Sequence, residues 1–295
     1  LEKSAITPET EYVCNGLFHV KGRSEPFKCW KETGHGRVKL HDAIKGSCNV
    51  FFYNTGMGAG VDELHKYASL FRLGKLTGVG LLNEKAGLIP SSSWKKRVLN
   101  EPWYGGETPS MSIGQGFIIV TPLQVINMIN ILANDGIWIP PRLFLEDEGT
   151  APQQIPLNKE YLSLIRKGMV AVVNEAGGTA RKVQFEEFTV AGKTATSQVI
   201  SHKTMETLDE EAKLKKEFQN HAWFVAFGPA EDPEISVIAL VEHGGGGSRA
   251  AAPVVRKILS YYIDNIYKPK SKKTVQTKFE SKNLNFRTRL QMAFN

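Results

Sequence analysis

Cysteine is scarce in this chain of 295 residues. There are three, an odd number, which weakens a disulfide reading because at least one thiol is left needing another role. No run approaches the roughly 20 consecutive apolar residues that a spanning helix requires, and no signal segment opens the sequence. A phosphate loop is lacking too, because the glycines at 244–247 lead into Ser248-Arg249 rather than Lys-Ser/Thr. They suit a flexible turn that passes close to another backbone. No internal repeat is visible. Net charge is nearly absent outside one segment: residues 268–295 carry eight Lys or Arg against Glu280 alone, which accounts for the formal +7. A nucleic-acid surface needs basic residues clustered on a folded face beside stacking aromatics, so none is expected here. A solvated, disordered tail is the expectation, with loose adhesion to anionic headgroups or envelope polymers as its alternative.

The content is 41% hydrophobic, which suits a globular domain with one large core or two small ones. Residues 1–60, rich in Gly, Cys and charge, read as an irregular lobe needing a staple. Val61 to Leu73 has a helical stripe of Leu64, Ala68 and Phe71, with Gly74 as its stop. Residues 74–120 read as a long punctuated excursion, in which Trp94, Trp103 and Tyr104 either line a cleft or pin the loop to the core. Thr121-Pro122 starts a helix through Ile126, Ile129 and Leu132, and a further helix spans Lys159 to Asn174. Phe188 to Val199 is a strand candidate. Ala222 to Phe227 and Ile235 to Val241 form an antiparallel pair joined across Glu231-Asp232-Pro233. The charged stretch from His202 to Asn220 suits a surface helix or flap. An amphipathic helix from Arg249 to Tyr267, carrying Val254, Val255, Ile258, Tyr262 and Ile266, completes an α/β sandwich of antiparallel sheet and flanking helices.

Two short motifs carry chemistry, Ser47-Cys48-Asn49 and Lys193-Thr194-Ala195-Thr196. A third set, Cys14, Cys29, His35 and Cys48, has the spacing C-x14-C-x5-H-x12-C. Three thiolates and an imidazole make a closed tetrahedral zinc set, and the competing reading is one disulfide plus a spare thiol. His19 and His41 read as ordinary histidines.

Family order raises the weight of these motifs. Cys29-Trp30-Lys31, Gly34-His35-Gly36, the run from Ser47 to Tyr53, Trp94 to Tyr104, and Ile113-Gly114-Gln115-Gly116 all have counterparts in one family. So do Thr121-Pro122-Leu123-Gln124, Ala191-Gly192-Lys193-Thr194, His221 to Val225 and the glycines from Gly244. From its first residues to about Ile266 the sequence resembles the transpeptidase domain of elongation-specific, class B penicillin-binding proteins, the penicillin-binding protein 2 type.

The resemblance implies a peptidoglycan D,D-transpeptidase that acts on D-alanyl-D-alanine stem peptides through an acyl-serine and is acylated by β-lactams. Ser47 would relay protons and Asn49 hydrogen-bond the substrate amide. Lys193 would lend positive charge, Thr194 and Thr196 would contact the terminal carboxylate, and the Thr196 N–H would stabilise the oxyanion. Ala195 departs from the family's Gly. Cys14, Cys29, His35 and Cys48 match the ligands of a family zinc site, and Cys48 lies inside the Ser47-x-Asn49 motif. A membrane glycosyltransferase of the elongation machinery is the implied partner, and the periplasmic face of the inner membrane the implied location.

The family's nucleophile motif, Ser-x-x-Lys, has no convincing occurrence. Ser92 to Lys95 and Ser93 to Lys96 satisfy the string, but they follow Ser47 in a polar stretch. The expectation is that the nucleophile helix and a membrane anchor lie on a segment upstream. A non-catalytic wall-peptide or partner-binding remnant, or a cell-division penicillin-binding protein, are the alternatives.

Overall fold

The computed structural model describes residues 1–268 except 145, 148, 201–203, 205–206, 210 and 212–214. Most of the basic segment at 268–295 and part of the 202–220 segment therefore lie outside the described residues. The chain divides into one unit spanning Leu1–Val255 and a second spanning Arg256–Asn295.

The first lobe is more regular than its composition suggests. Two small antiparallel ladders come first, β1 (Tyr12–Cys14) with β4 (Gly36–Val38) and β2 (Leu17–Phe18) with β3 (Phe27–Lys28). The expectation of irregular chain to residue 60 is corrected by two helices, α1 (Leu40–Gly46) and α2 (Asn49–Ala59). Leu40, Ala43 and Ile44 on the first, and Val50, Phe51 and Tyr53 on the second, are buried, so tertiary packing overrides the glycine content. Gly60, at φ 81°, separates α2 from α3 (Val61–Leu70).

The excursion at 74–120 carries structure of its own. It holds α4 (Ser92–Leu99) and α5 (Thr108–Ser112), and it closes a satellite core of Val61, Ile89 and Met111. Leu64, Ala68 and Trp103 pack against that core. Trp103 donates to Thr108 Oγ1 at 3.0 Å and the Trp94 ring packs at a tilt on Phe117, so both pin the segment. Tyr104 instead stays exposed, with the Lys95 ammonium over its ring.

Helix α6 (Pro122–Ala133) starts where Thr121 and Gln124 cap one another, with Pro122 in its first turn. Short strands β5 (Ile137–Trp138) and β6 (Gln153–Gln154) lead to α7 (Lys159–Asn174). The main sheet is antiparallel, in the order β7 (Ala191–Ser197), β8 (His221–Gly228), β9 (Ile235–Val241). Lys193 lies opposite Val225, and Ala195 opposite Trp223. Helix α7 packs against β7, and α6 against β8 and β9. The strand expected over 188–199 is trimmed at both ends, and among the described residues the sheet order places β7 at an edge. The last described helix runs Ala251–Tyr262 and widens into a π turn at Ile263–Tyr267.

Helix α2 meets α5 through a glycine. A Cβ on Gly56 would overlap the side chain of Ser112, lying 2.6 Å from its Cβ. Gly56→Ala gains helix propensity worth about 1 kcal/mol but overpacks this contact by roughly 1–3 kcal/mol. We expect a net loss of stability in urea melts. An unchanged or raised midpoint would show that α5 yields freely.

Candidate functional site

Ser47 closes α1 in the left-handed conformation, φ 54° and ψ 48°. That region costs a residue bearing a Cβ roughly 1–2 kcal/mol, and the surroundings hold it there. Ser47 N donates to Ile44 O and Cys48 N to Ala43 O, which closes the helix end. The Trp30 indole N–H is shared between the carbonyls of Gly46, at 3.0 Å, and Ser47, at 2.9 Å. The backbone of Ser47 is therefore fixed on both sides of the residue.

The hydroxyl is met from the sheet. Lys193 Nζ, on β7, donates to Ser47 Oγ at 2.7 Å and to Thr194 O at 2.9 Å. No carboxylate pairs with this ammonium among the described contacts, and burial lowers its pKa to about 8. A lysine so poised exchanges protons near neutrality, and its neighbour is a hydroxyl that can pass them on.

Other sequence-derived residues fall around this pair. Thr194 Oγ1 lies 2.9 Å from Thr179 Oγ1, and Thr196 O accepts from Gln115 Nε2 at 2.8 Å. Asn49 begins α2, and its amide donates to Lys28 O at 3.3 Å, an acceptor shared with the Tyr53 hydroxyl at 3.2 Å. Ala195 leaves an exposed methyl on β7, whereas the close approach is at Gly247. A Cβ there would lie 2.3 Å from Trp223 O and 2.6 Å from Ala195 O, so the glycine-rich turn passes directly over the strand. Sequence reasoning missed Thr179, which lies just beyond the helix expected over Lys159 to Asn174, after Gly177 and Gly178. It also assigned no part to Trp30 or Gln115, although both lie in quoted family runs.

The cysteines and His35 converge on one point. Their ligand atoms all lie within 4.8 Å of one another, and the three sulfurs are buried and free, so no disulfide forms. His35 Nδ1 is 3.6 Å from Cys14 Sγ and 3.5 Å from Cys29 Sγ. A tetrahedral zinc with ordinary bond lengths sets nitrogen and sulfur ligands about 3.6 Å apart, so the donor set fits that ion. The thiols also crowd one another: the hydrogen bond with Cys48 lowers the Cys29 pKa to about 4, and the same contact raises that of Cys48. One thiolate borrows its neighbour's proton, and a second needs a cation. His35 Nε2 is buried without a partner, beside Gly46, where an added Cβ would sit 3.4 Å away.

The two Ser-x-x-Lys strings are occupied elsewhere. Ser92 donates to Asp62 and Ser93 contacts Ser91. Lys95 is buried in pairs with Glu107 at 2.5 Å and Glu101 at 3.3 Å. Burial opposes its charge and the two carboxylates outweigh it, so its pKa is raised, the reverse of what activates a serine.

A lysine delivered by an edge strand to a Ser-x-Asn turn, inside a helix-flanked antiparallel sheet, defines a penicillin-type acyl-transfer domain. The chain belongs to the penicillin binding protein transpeptidase domain family, which it matches over residues 1–260. It is 37% identical over 273 residues to the peptidoglycan D,D-transpeptidase MrdA of Haemophilus influenzae, covering 89% of this chain and 42% of that protein. Among solved structures it resembles Helicobacter pylori PBP2 in complex with MreC, with a TM-score of 0.79, 32% identity, and coverage of 90% of this chain and 47% of the other. Pseudomonas aeruginosa PBP2 in complex with WCK 5153 gives 0.77 and 30%, over 90% of this chain and 56% of the other. The chain thus spans less than half the length of the curated relative.

The lowered Lys193 pKa has a sign. Folding weakens proton binding at this amine, so stability is reduced below about pH 8 and recovers as pH rises from 8 towards the ordinary value of 10.5. Lys193→Met should abolish that rise and be at least as stable at pH 7. Urea melts at pH 7 and 10 check this, and parallel pH profiles for the two proteins would refute it.

Proposed function

We propose that this chain is the stem-peptide-binding portion of a peptidoglycan D,D-transpeptidase of the elongation type, penicillin-binding when complete and serving cell-wall elongation and cell shape. The observation that carries the reading is the 2.7 Å contact between Lys193 and Ser47, which joins two family motifs 146 positions apart. Names of the relatives support the same activity.

In this reading each group acts on a D-alanyl-D-alanine terminus. Lys193 supplies positive charge and, with a pKa of about 8, takes part with Ser47 in carrying a proton to the departing D-alanine amine. The Thr194 and Thr196 hydroxyls hold the terminal carboxylate, and the Thr196 N–H faces the oxygen that gains charge. Asn49 turns its amide from Lys28 O to the substrate amide. The nucleophilic serine is not supplied by any residue described at this cleft. The occupied state of Ser92, Ser93 and Lys95 favours a second reading of the chain alone, a wall-peptide-binding module without turnover.

Cys14, Cys29, His35 and Cys48 would hold a structural zinc, supported by the 3.5 and 3.6 Å nitrogen–sulfur separations. When bound, the ion supplies cross-linking of the first lobe and lets both Cys29 and Cys48 exist as thiolates. Cys48 carries that constraint into the turn between Ser47 and Asn49. We also place the complete protein at the periplasmic face of the inner membrane, beside a glycosyltransferase of the elongation machinery. An MreC complex and a peptidoglycan synthase complex are known for the structural relatives. Among the described residues no helix is long and apolar enough to cross a membrane.

The test of function is reversible binding of diacetyl-L-lysyl-D-alanyl-D-alanine to the chain, weakened at least about tenfold in Lys193→Met by loss of a charge-assisted contact. Fluorescent penicillin should leave no serine adduct on the chain. Equal affinity of the two proteins would remove the lysine from the site. For the metal, purified protein should contain one zinc, and Cys29→Ser or chelation should lower the midpoint of thermal unfolding. Folded protein free of zinc would overturn the assignment.

A further inference from the structure

Strand β7 is an edge, and no strand among the described residues pairs with its outer side. Within a strand the N–H and C=O of one residue point to the same side, and successive residues alternate. Thr196 offers its carbonyl to Gln115 rather than to β8, so its N–H faces the open edge as well. Gln198, two residues on, faces the same way, and its N–H approaches Gln115 Oε1 at 3.5 Å. The Gln115 side chain thus presents an N–H and a C=O to the strand as a peptide group would. Its position is set from behind, by Gln115 N donating to Ser110 O at 2.9 Å. The flanking Gly114 and Gly116 are both left-handed, φ 77° and 74°, which places Gln115 at the tip of a tight turn.

A ligand whose oxyanion bonds to the Thr196 N–H pairs with the same residue in antiparallel fashion, and such a pair exchanges both hydrogen bonds. The N–H of the penultimate D-alanine then requires Thr196 O. On the outer side of β7, where such a ligand must lie, that carbonyl already holds the Gln115 amide. We propose that Gln115 is an internal competitor for the peptide edge of β7, which must release Thr196 O before an acylated D-alanyl ligand can seat. The inference rests on the proposed function. It makes Gln115 a specificity residue: a ligand gains from expelling it only if it brings an amide N–H to replace the one lost.

The experiment compares the unaltered chain with Gln115→Met, similar in length but without a hydrogen-bonding end. Each is titrated with diacetyl-L-lysyl-D-alanyl-D-alanine and with the same peptide methylated on the penultimate nitrogen. The variant should bind the N–H peptide about three- to tenfold more tightly, the worth of one neutral hydrogen bond, and the methylated peptide no more tightly than the parent does. Equal or weaker binding of the N–H peptide by a variant with unchanged melting temperature overturns the proposal and makes Gln115 a brace. An equal gain for both peptides overturns it too. If neither peptide binds either chain, the functional reading fails and the competitor falls with it. Should Gln115→Met not fold, the side-chain amide protons of Gln115 in the unaltered chain decide the matter by NMR. Saturating peptide should shift them to solvent-exchanging positions, and an unmoved, protected signal overturns the proposal.

Discussion

The hydrogen bond from Lys193 to Ser47 holds together two features that are each unfavourable alone. Ser47 sits in a left-handed conformation that glycine or asparagine would adopt more readily, and Lys193 carries its charge into a site that lowers its pKa to about 8. Neither condition is relieved by that bond alone. The helix end needs the Trp30 indole as well as its own closing bonds, and the ammonium needs the serine oxygen and a backbone carbonyl. The bond fixes the two motifs against each other, while the cost of burying the lysine charge remains.

From that bond the constraint runs in a closed circuit. Ser47-Cys48-Asn49 leads into α2, and α2 is seated on α5 through the absence of a side chain at Gly56. Helix α5 leads to the turn that carries Gln115, and Gln115 reaches β7 three residues beyond Lys193. Opposite this, Trp30 and Cys29 tie β3 and its following loop to the same serine turn. A shift of any member is therefore felt at the Lys193–Ser47 contact, which suits a site whose groups must stay within a fraction of an ångström.

Those parts of the structure whose causes are local were legible in the sequence. Thr121 and Gln124 announce a capped helix, the 159–174 stripe announces another, and alternating apolar runs announce β8 and β9. The Ser47 and Lys193 motifs were legible through family order, and the structure brings them into contact. Helices α1 and α2 were not, because their short apolar faces become meaningful only against α7, β1 and α5. Thr179, Trp30 and Gln115 escaped for the same reason. Each acts through bonds to residues 15 or more positions away, and nothing in a neighbouring residue signals it. The Ser92 and Lys95 string shows the converse, a motif match that burial and two glutamates turn into a structural ion pair.

The edge position of β7 joins fold and chemistry. A strand that is to receive a peptide must leave its outer hydrogen-bonding groups unpaired, and an unpaired edge invites association with any other chain. Full pairing would close the site, and a long bare edge would be a hazard. Here the strand is short, a glycine at 247 lets a turn pass over it at Ala195, and the Thr194 hydroxyl is held by Thr179. The remaining acceptor at Thr196 is met by a single side-chain amide, which satisfies one carbonyl without building a strand. Such a contact is worth about 1 kcal/mol, enough to guard the edge and small enough for a ligand that makes several contacts to displace.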